Sequence, residues 1–94
     1  MFEISYNERG DVELRGRLDA SQAARAQGFL DTLAGPCVLD LTTLDYISSA
    51  GMGVLLGVQK RLSANGQGLI LTQMNRHIRE LFTIAGFNHV FTIK

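Results

Sequence analysis

The sequence predicts an α/β domain in which helices pack on a mixed β-sheet of about four to five strands, with a β-hairpin at the start of the chain. The first observation behind this prediction is a pair of alternating segments separated by a glycine-containing turn. The second is that short apolar runs then alternate with segments of helical periodicity, an order typical of parallel strands joined by right-handed crossovers. At 94 residues, the chain is expected to form a single domain over residues 1–94.

The composition is typical of a folded, soluble protein. Hydrophobic residues make up 46% of the chain, which argues against disorder. Nine basic and nine acidic residues cancel, so neither nucleic acid nor an anionic membrane is an expected partner. The single cysteine, Cys37, excludes an intramolecular disulfide and a Cys-x-x-Cys metal site, and it is expected to be a buried thiol. The sequence has no signal-peptide pattern and no apolar run of about 18 residues, so a cytoplasmic location is expected.

The hairpin is predicted between residues 2 and 16. Phe2–Asn7 and Asp11–Gly16 both alternate in side-chain character, and Gly10 lies in the turn between them. The hairpin is therefore expected to form an antiparallel edge of the sheet.

The first helix is predicted to begin at a capping box. Asp19 stands three residues before Gln22, which is the spacing of that motif. Alanines and leucines recur at helical intervals from there to Leu33. The breaker Gly35-Pro36 is expected to end the helix.

Five further elements are predicted downstream. Cys37–Leu41 is a short apolar run typical of a strand buried on both faces. A polar loop is expected to follow it. A second helix is predicted from Ala50 to Asn65, ended by Gly66-Gln67-Gly68, and a strand is predicted at Leu69–Thr72. A third helix is capped by Asn75 and ends before Gly86, and its apolar stripe comprises Ile78, Leu81, Phe82 and Ala85. The last element is a strand at His89–Ile93.

The most informative segment is the small-residue turn at residues 48–53. Ser48 and Ser49 stand directly before an apolar helix, where the helix dipole and free N–H groups favour added negative charge. A phosphoserine there would bring roughly −1.5 to −2 charges to one point. The turn is therefore a candidate switch that needs no catalytic apparatus of its own.

The second helix is predicted to have a core face and a flat outer face. Gly51, Leu55, Val58 and Leu62 lie on one stripe that can pack on the sheet. The opposite side has Gly53, Gly57, Lys60 and Ala64, with Met52 and Leu56 as apolar contacts. Glycine inside a helix costs roughly 0.5–1 kcal/mol relative to alanine, so these glycines indicate close approach of a partner. The alternative is that another element of the same chain covers them.

Three segments follow one another along almost the whole chain in a specific order. They are Leu14–Asp19 ahead of the first helix, Val38–Leu41 followed by Leu44–Leu56, and Leu81-Phe82 with Gly86-Phe87. Together they make the sequence resemble the small bacterial anti-sigma factor antagonists, the stand-alone members of the STAS domain family.

This resemblance implies a phosphorylated switch. The family's switch motif commonly reads Asp-Ser-Ser/Thr-Gly, and the first hydroxyl after the Asp is phosphorylated. With Gly51 aligned, that hydroxyl is Ser49, while Ser48 replaces the family's Asp and Ala50 replaces its second hydroxyl. Ser48 is therefore the second candidate. Asp19 is expected from the family to lie beside the switch serine; its alternative role is that of a helix cap, and the two roles are compatible.

The resemblance also implies the partners. The unphosphorylated protein is expected to bind an anti-sigma factor that is also a serine kinase of the histidine-kinase-like ATPase superfamily, which frees a sigma factor or another client. A metal-dependent PP2C-type phosphatase is expected to reverse the modification. The chain itself is expected to need no cofactor or metal and to be a monomer when free. The expected partner-binding residues are Asp19, Ser48, Ser49, Ala50, Gly51, Met52, Gly53, Leu56, Gly57 and Lys60.

Other functions fit the sequence less well. An enzyme is not expected, because Ser49 has no sequence-level triad and His77 and His89 are interpreted as surface residues. The glycines from Gly51 to Gly57 miss the spacing of a dinucleotide-binding loop. The better alternative is a non-switching STAS subunit, similar to the accessory proteins of bacterial lipid-transport ABC complexes. Such a subunit would use the same helix face, with the serines acting only as caps.

Overall fold

A computed structural model of the protein describes residues 1–64 and 68–94. These residues form six strands, three α-helices and one short 3₁₀ helix. In chain order the elements are β1 (Phe2–Tyr6), β2 (Val12–Leu18), α1 (Ala23–Leu30), β3 (Cys37–Asp40), β4 (Leu44–Ile47), α2 (Ser49–Ser63), β5 (Leu69–Thr72), α3 (Arg76–Ile84), the 3₁₀ helix (Phe87–His89) and β6 (Thr92–Ile93).

The strands form one mixed sheet in the order β1-β2-β3-β5-β6, and β4 pairs with β2. The β1–β2 pair is antiparallel and all other pairs are parallel. The predicted α/β class and the opening hairpin are therefore confirmed, and Gly10 has the positive φ of +83° that the hairpin turn requires. Because β2, β3, β5 and β6 follow one another in one direction across the sheet, right-handed crossovers place all three helices on the same face.

The sheet has one strand more than the sequence predicts, because β4 lies in the segment interpreted as a polar loop. It pairs with the second half of β2, and the register shifts between Gly16 and Arg17. This irregularity lets Leu44 and Ile47 both point into the core, each 1% exposed, although three positions separate them. The alternation of buried and exposed side chains, by which a strand is recognised in a sequence, is thus interrupted within the four residues of β4.

The predicted capping box is wrong. The residue before α1 is Gln22, whose side chain makes no capping hydrogen bond. The Asp19 carboxylate instead accepts hydrogen bonds from the backbone N–H and the hydroxyl of Ser21, at 3.0 and 2.6 Å. This local turn satisfies Asp19 before the helix begins. The helix also ends earlier than predicted, at Leu30, and a turn then brings Leu33 into the core.

The other two helices agree with the prediction within the residues that can be compared. α2 begins at Ser49, one residue before the expected start, and is described to Ser63. The expected end at Asn65 and the first two residues of its glycine stop, Gly66 and Gln67, lie outside the described residues. α3 is capped as predicted, because the Asn75 side chain accepts a hydrogen bond from the Ile78 N–H at 2.9 Å.

The last predicted strand is much shorter than expected. Residues 87–89 form the 3₁₀ helix, and β6 comprises only Thr92–Ile93. The reason is aromatic packing: the rings of Phe87 and Phe91 lie 6.1 and 5.7 Å from the ring of Phe82. An extended chain would place Phe87 and Phe91 too far apart to pack on one ring.

The core lies between the sheet and the helices. On β2 the inward side chains are Val12, Leu14 and Leu18, all fully buried. The stripe predicted for α2 is confirmed, since all four of its members are buried. The largest fully buried side chains are Leu14, Leu18, Leu30, Leu39, Leu41, Leu44, Ile47, Leu55, Leu62, Leu69, Leu71 and Phe82.

Candidate functional site

The start of α2 is fixed to the end of β2 by Ser48. The Ser48 N–H donates a hydrogen bond to the Leu18 carbonyl at 2.9 Å. Its hydroxyl oxygen accepts a hydrogen bond from the Gly51 N–H at 3.1 Å, which makes Ser48 the N-cap of α2. Ser48 is therefore a structural cap whose acceptor is already in use.

Ser49 differs from its neighbour because its hydroxyl is free. It is the first residue of α2 and is exposed. Within residues 1–64 and 68–94 its hydroxyl makes no side-chain hydrogen bond. The helix N-terminus adds partial positive charge at this point, so an anionic group on Ser49 is electrostatically favoured in the free protein. The geometry makes Ser49 the more accessible of the two candidate hydroxyls.

Asp19 lies next to Leu18, the residue that accepts the hydrogen bond from Ser48, so the turn before α1 and the start of α2 meet at one end of the sheet. The hydrogen bond from the Ser21 hydroxyl is the largest cause that lowers the pKa of Asp19, and the nearby Arg17 adds to it. Asp19 is therefore a carboxylate at neutral pH. It caps the turn and not the helix.

The outer face of α2 is bare, as predicted. A Cβ atom at Gly53 or Gly57 would meet nothing within 4 Å. Lys60 is exposed on the same side, while Met52 and Leu56 are half-buried at its flank. No element within residues 1–64 and 68–94 covers these glycines, so the described part of the chain does not pack there.

Gly51, one of the expected partner-binding residues, lies on the core face of α2 and not on its bare outer face. It is buried, and a Cβ atom there would lie 2.8 Å from both the Cγ and the carbonyl oxygen of Leu18. The same atom would lie 2.9 Å from Cγ1 of Ile47. Gly51 is needed because α2 approaches the sheet closely at this point.

The sequence did not indicate Arg17 and Tyr46 as residues of this region. They are paired across β2 and β4, and the Arg17 guanidinium carbon lies 4.3 Å from the centre of the Tyr46 ring. Their proximity depends on β4, which the sequence pattern concealed. A cation inside the segment Gly16–Asp19 gives no signal of its own that a tyrosine 29 positions later stacks on it.

The remaining reactive side chains are dispersed. His77 and His89 are both exposed, as interpreted from the sequence. Cys37 is half-buried, and burial raises the pKa of its thiol. Among the described residues, no three His, Cys, Asp or Glu side chains come together in a way that could hold a metal ion. None of the helices described is long and apolar enough to cross a membrane.

A family model described as "Mlab, STAS domain" matches residues 4–93. The anti-sigma-B factor antagonist of Listeria monocytogenes is 31% identical over 88 residues, which cover 89% of this chain and 77% of that protein. BtrV of Bordetella bronchiseptica, named as a candidate anti-sigma factor antagonist, is 48% identical over 56 residues. That match covers 60% of this chain and 48% of BtrV, so the matched segment spans about half the length of that relative.

Solved structures of SpoIIAA, an anti-sigma factor antagonist, have the same fold. The unphosphorylated form superimposes with a TM-score of 0.68 at 22% identity, covering 89% of this chain and 83% of SpoIIAA. The phosphorylated form, from Bacillus, superimposes with a TM-score of 0.70 at 21% identity, covering 100% and 91%. The arrangement of sheet and helices is therefore common to both proteins.

Proposed function

We propose that this chain, which belongs to the STAS domain family, is an anti-sigma factor antagonist that works by partner switching. In the unphosphorylated state it binds an anti-sigma factor that is also a serine kinase of the histidine-kinase-like ATPase superfamily. Binding frees the sigma factor or other client of that kinase. The observation that chiefly supports this function is the exposed hydroxyl of Ser49 at the start of a helix with a bare outer face.

The outer face of α2 suits a close protein contact. Gly53 and Gly57 let the backbone of a partner approach α2 closely, since no side chain stands between them. Met52 and Leu56 offer apolar area at the flank, and Lys60 offers a charge at the far end. Asp19, Ser48 and Ala50 complete the surface around Ser49.

The switch is a reversible phosphoryl transfer at Ser49. The Ser49 oxygen attacks the γ-phosphorus of the kinase's ATP, ADP leaves, and the hydroxyl proton is released. A PP2C-type phosphatase restores the hydroxyl by hydrolysis to inorganic phosphate. This chain contributes the acceptor hydroxyl and no catalytic group, so we assign it a regulatory role. The cycle belongs in the cytoplasm, where the kinase finds ATP.

Phosphate at Ser49 would dissociate the complex for a physical reason. The helix N-terminus tolerates the added charge in the free protein, where water solvates the phosphate. In the complex the same group would be desolvated against the partner. A loss of about 3 kcal/mol of binding free energy would weaken the complex about a hundredfold.

The second candidate function is a non-switching STAS subunit of a lipid-transport ABC complex. In that function both serines would act only as helix caps. Ser48 does cap α2, but the hydroxyl of Ser49 makes no capping bond among the described residues. The relatives at 31% and 48% identity are named as antagonists, so partner switching is the function we favour.

The test is phosphorylation in vitro followed by a binding measurement. The purified chain is incubated with ATP and each histidine-kinase-like ATPase of its source genome, and peptide mass spectrometry locates the phosphate. We expect phosphate on Ser49, retained in the cap variant Ser48→Ala and lost in Ser49→Ala. Ser49→Asp should bind the same kinase at least tenfold more weakly at an unchanged fold. Tight binding without any modification would favour the non-switching subunit, and phosphate on Ser48 alone would overturn the assignment of Ser49.

A further inference from the structure

The sheet face opposite the helices has a series of charged side chains. On β1, β2 and β4 this face, here called the polar sheet face, comprises Glu3, Glu13, Arg15, Arg17 and Tyr46. Arg15 lies between two carboxylates, 2.8 Å from Glu3 and 3.1 Å from Glu13. Its charge is thus neutralised within the chain.

Arg9, at the hairpin turn, is paired in the same way. Its guanidinium lies 3.3 Å from the Asp11 carboxylate and 2.9 Å from that of Asp40. Arg17 is the contrasting case, because it forms no ion pair with any residue that the structure describes. Its exposed guanidinium therefore keeps its charge available to another molecule.

Tyr46 holds Arg17 in place. The 4.3 Å distance from guanidinium carbon to ring centre is that of a cation–π contact. Such stacking uses one flat face of the guanidinium and leaves the N–H groups at its edge free to donate. Because the side chain is already ordered, less conformational entropy is lost when a partner binds it.

Arg17 and Tyr46 adjoin the switch. Leu18 pairs with Ile47, one residue beyond the Arg17–Tyr46 pair. Ser48, which directly follows β4, donates its N–H to the Leu18 carbonyl. The proximity of Arg17 to Asp19 also helps lower the pKa of that carboxylate. A partner seated on Ser49 and Asp19 would therefore reach the end of the polar sheet face.

We infer that Arg17, braced by Tyr46, is a specificity residue that binds a carboxylate of the kinase partner at the rim of the complex. This inference rests on the proposed function. A planar guanidinium matches a carboxylate with two parallel hydrogen bonds, and arginine and tyrosine are enriched among residues that dominate binding energy. The chain has a net charge of zero, which provides too little positive charge for nucleic acid, so a protein carboxylate is the fitting occupant.

The test compares the affinity of charge variants for the kinase that phosphorylates this chain. The unphosphorylated wild type, Arg17→Ala and Arg17→Glu are titrated by calorimetry at low and at high salt. We expect about tenfold weaker binding for Arg17→Ala and about a hundredfold for Arg17→Glu, since truncation removes an attraction and reversal adds a repulsion. The affinity of the wild type should fall more steeply with salt than that of Arg17→Ala.

Two controls separate recognition from damage to the fold. Arg79→Ala removes the same charge from an exposed site on α3 that forms no ion pair among the described residues, and its affinity should match the wild type. Replacing the partner carboxylate by lysine should restore the binding of Arg17→Glu. Urea unfolding of all variants tests the fold.

The outcomes distinguish a failure of the proposed function from a failure of this inference. Absence of wild-type binding to every histidine-kinase-like ATPase of the genome would overturn both the proposed function and this inference. Wild-type binding with Arg17→Ala and Arg17→Glu within twofold of it would overturn this inference alone. An effect of Arg17 seen only in the phosphorylated protein would mean that the arginine binds the phosphate of its own chain, which also overturns it.

Discussion

At the scale of single residues, two glycines of α2 differ most in what surrounds them. Gly51 faces the backbone carbonyl of Leu18, and a Cβ atom at Gly51 would lie 2.8 Å from the oxygen of that carbonyl. The oxygen cannot move freely, since it accepts the hydrogen bond from Ser48. We predict that Gly51→Ala lowers the free energy of unfolding by about 1–3 kcal/mol, as overpacking of a close contact does. Urea denaturation followed by circular dichroism measures it.

Gly53→Ala is the matched control in the same helix. Nothing lies within 4 Å of a Cβ atom at Gly53, so the substitution should raise stability by roughly 0.5–1 kcal/mol through the better helix propensity of alanine. Equal effects of the two substitutions would contradict the close approach of α2 to Leu18. The angular spacing along the helix predicted from sequence that Gly51 and Gly53 face opposite ways. The closeness of the contact at Gly51 could not be predicted, because it depends on how β4 positions Ile47.

At the scale of secondary-structure elements, Arg61 joins α2 to the end of α1. Its guanidinium donates hydrogen bonds to the carbonyl oxygens of Leu33 and Leu30, at 2.8 and 2.9 Å. These carbonyls lie where α1 ends, so a cation there also complements the helix dipole. We predict that Arg61→Ala lowers the free energy of unfolding by about 1–2 kcal/mol, measured by urea denaturation.

Lys60 provides the control for this interaction. It is the neighbouring cation on α2, is exposed, and makes no side-chain hydrogen bond among the residues described. Lys60→Ala should therefore change stability by less than about 0.5 kcal/mol. A loss as large as that of Arg61→Ala would mean that general charge on α2, and not the contact with α1, supports the fold.

The sequence predicted the long elements well and the short ones poorly. α2 has about four turns over which apolar positions repeat, so its faces could be derived from spacing alone. On the shorter α3 the predicted stripe is buried at Ile78 and Phe82, but Ala85 lies past the end of the helix and is exposed. β4 has four residues and a register shift, which leaves no alternation to detect. At Asp19 the capping spacing was present, but the nearer Ser21 formed the hydrogen bonds instead. A rule based on residue spacing cannot show that two nearby donors compete for the same carboxylate.

At the scale of the whole molecule, the candidate site depends on strand order. Because β2 and β4 are parallel, their C-terminal residues, Leu18 and Ile47, lie side by side. α2 starts directly after β4, so it begins at this end of the sheet. The turn at Asp19 and the start of α2 lie at this end of the sheet, where Ser48 donates its N–H to Leu18, although 30 positions separate Asp19 from Ser49 in the sequence. The motif around Ser49 could be recognised from sequence because its residues are contiguous. The stacking of Arg17 on Tyr46 could not be recognised, because the two residues come together only once β2 and β4 have paired.

Ion pairs of carboxylates join the hairpin to β3 and β1 to β2, through Arg9–Asp40 and Arg15–Glu3. They predict how the free energy of unfolding changes in acid. Burial raises the pKa of Asp40, but hydrogen bonds from the hydroxyl and N–H of Thr42, with Arg9, outweigh it and lower the pKa overall. Arg15 lowers the pKa of Glu3 in the same way, chiefly through its hydrogen bond. A carboxyl group whose pKa is lowered by folding stabilises the protein above its unfolded pKa. That stabilisation is lost as the pH falls through the folded pKa.

We therefore predict that the free energy of unfolding is constant near neutral pH and decreases below about pH 4, where unfolded carboxyl groups begin to bind protons. Urea denaturation at a series of pH values measures this slope. Asp40→Asn should unfold about 1–3 kcal/mol more easily at pH 7, because an amide cannot accept all the hydrogen bonds from Thr42 and Arg9. It should also show a shallower slope in acid, since one titrating carboxylate is gone. An unchanged slope would mean that Asp40 titrates alike in the folded and unfolded chain, and that the acid sensitivity comes from the exposed pairs on the polar sheet face.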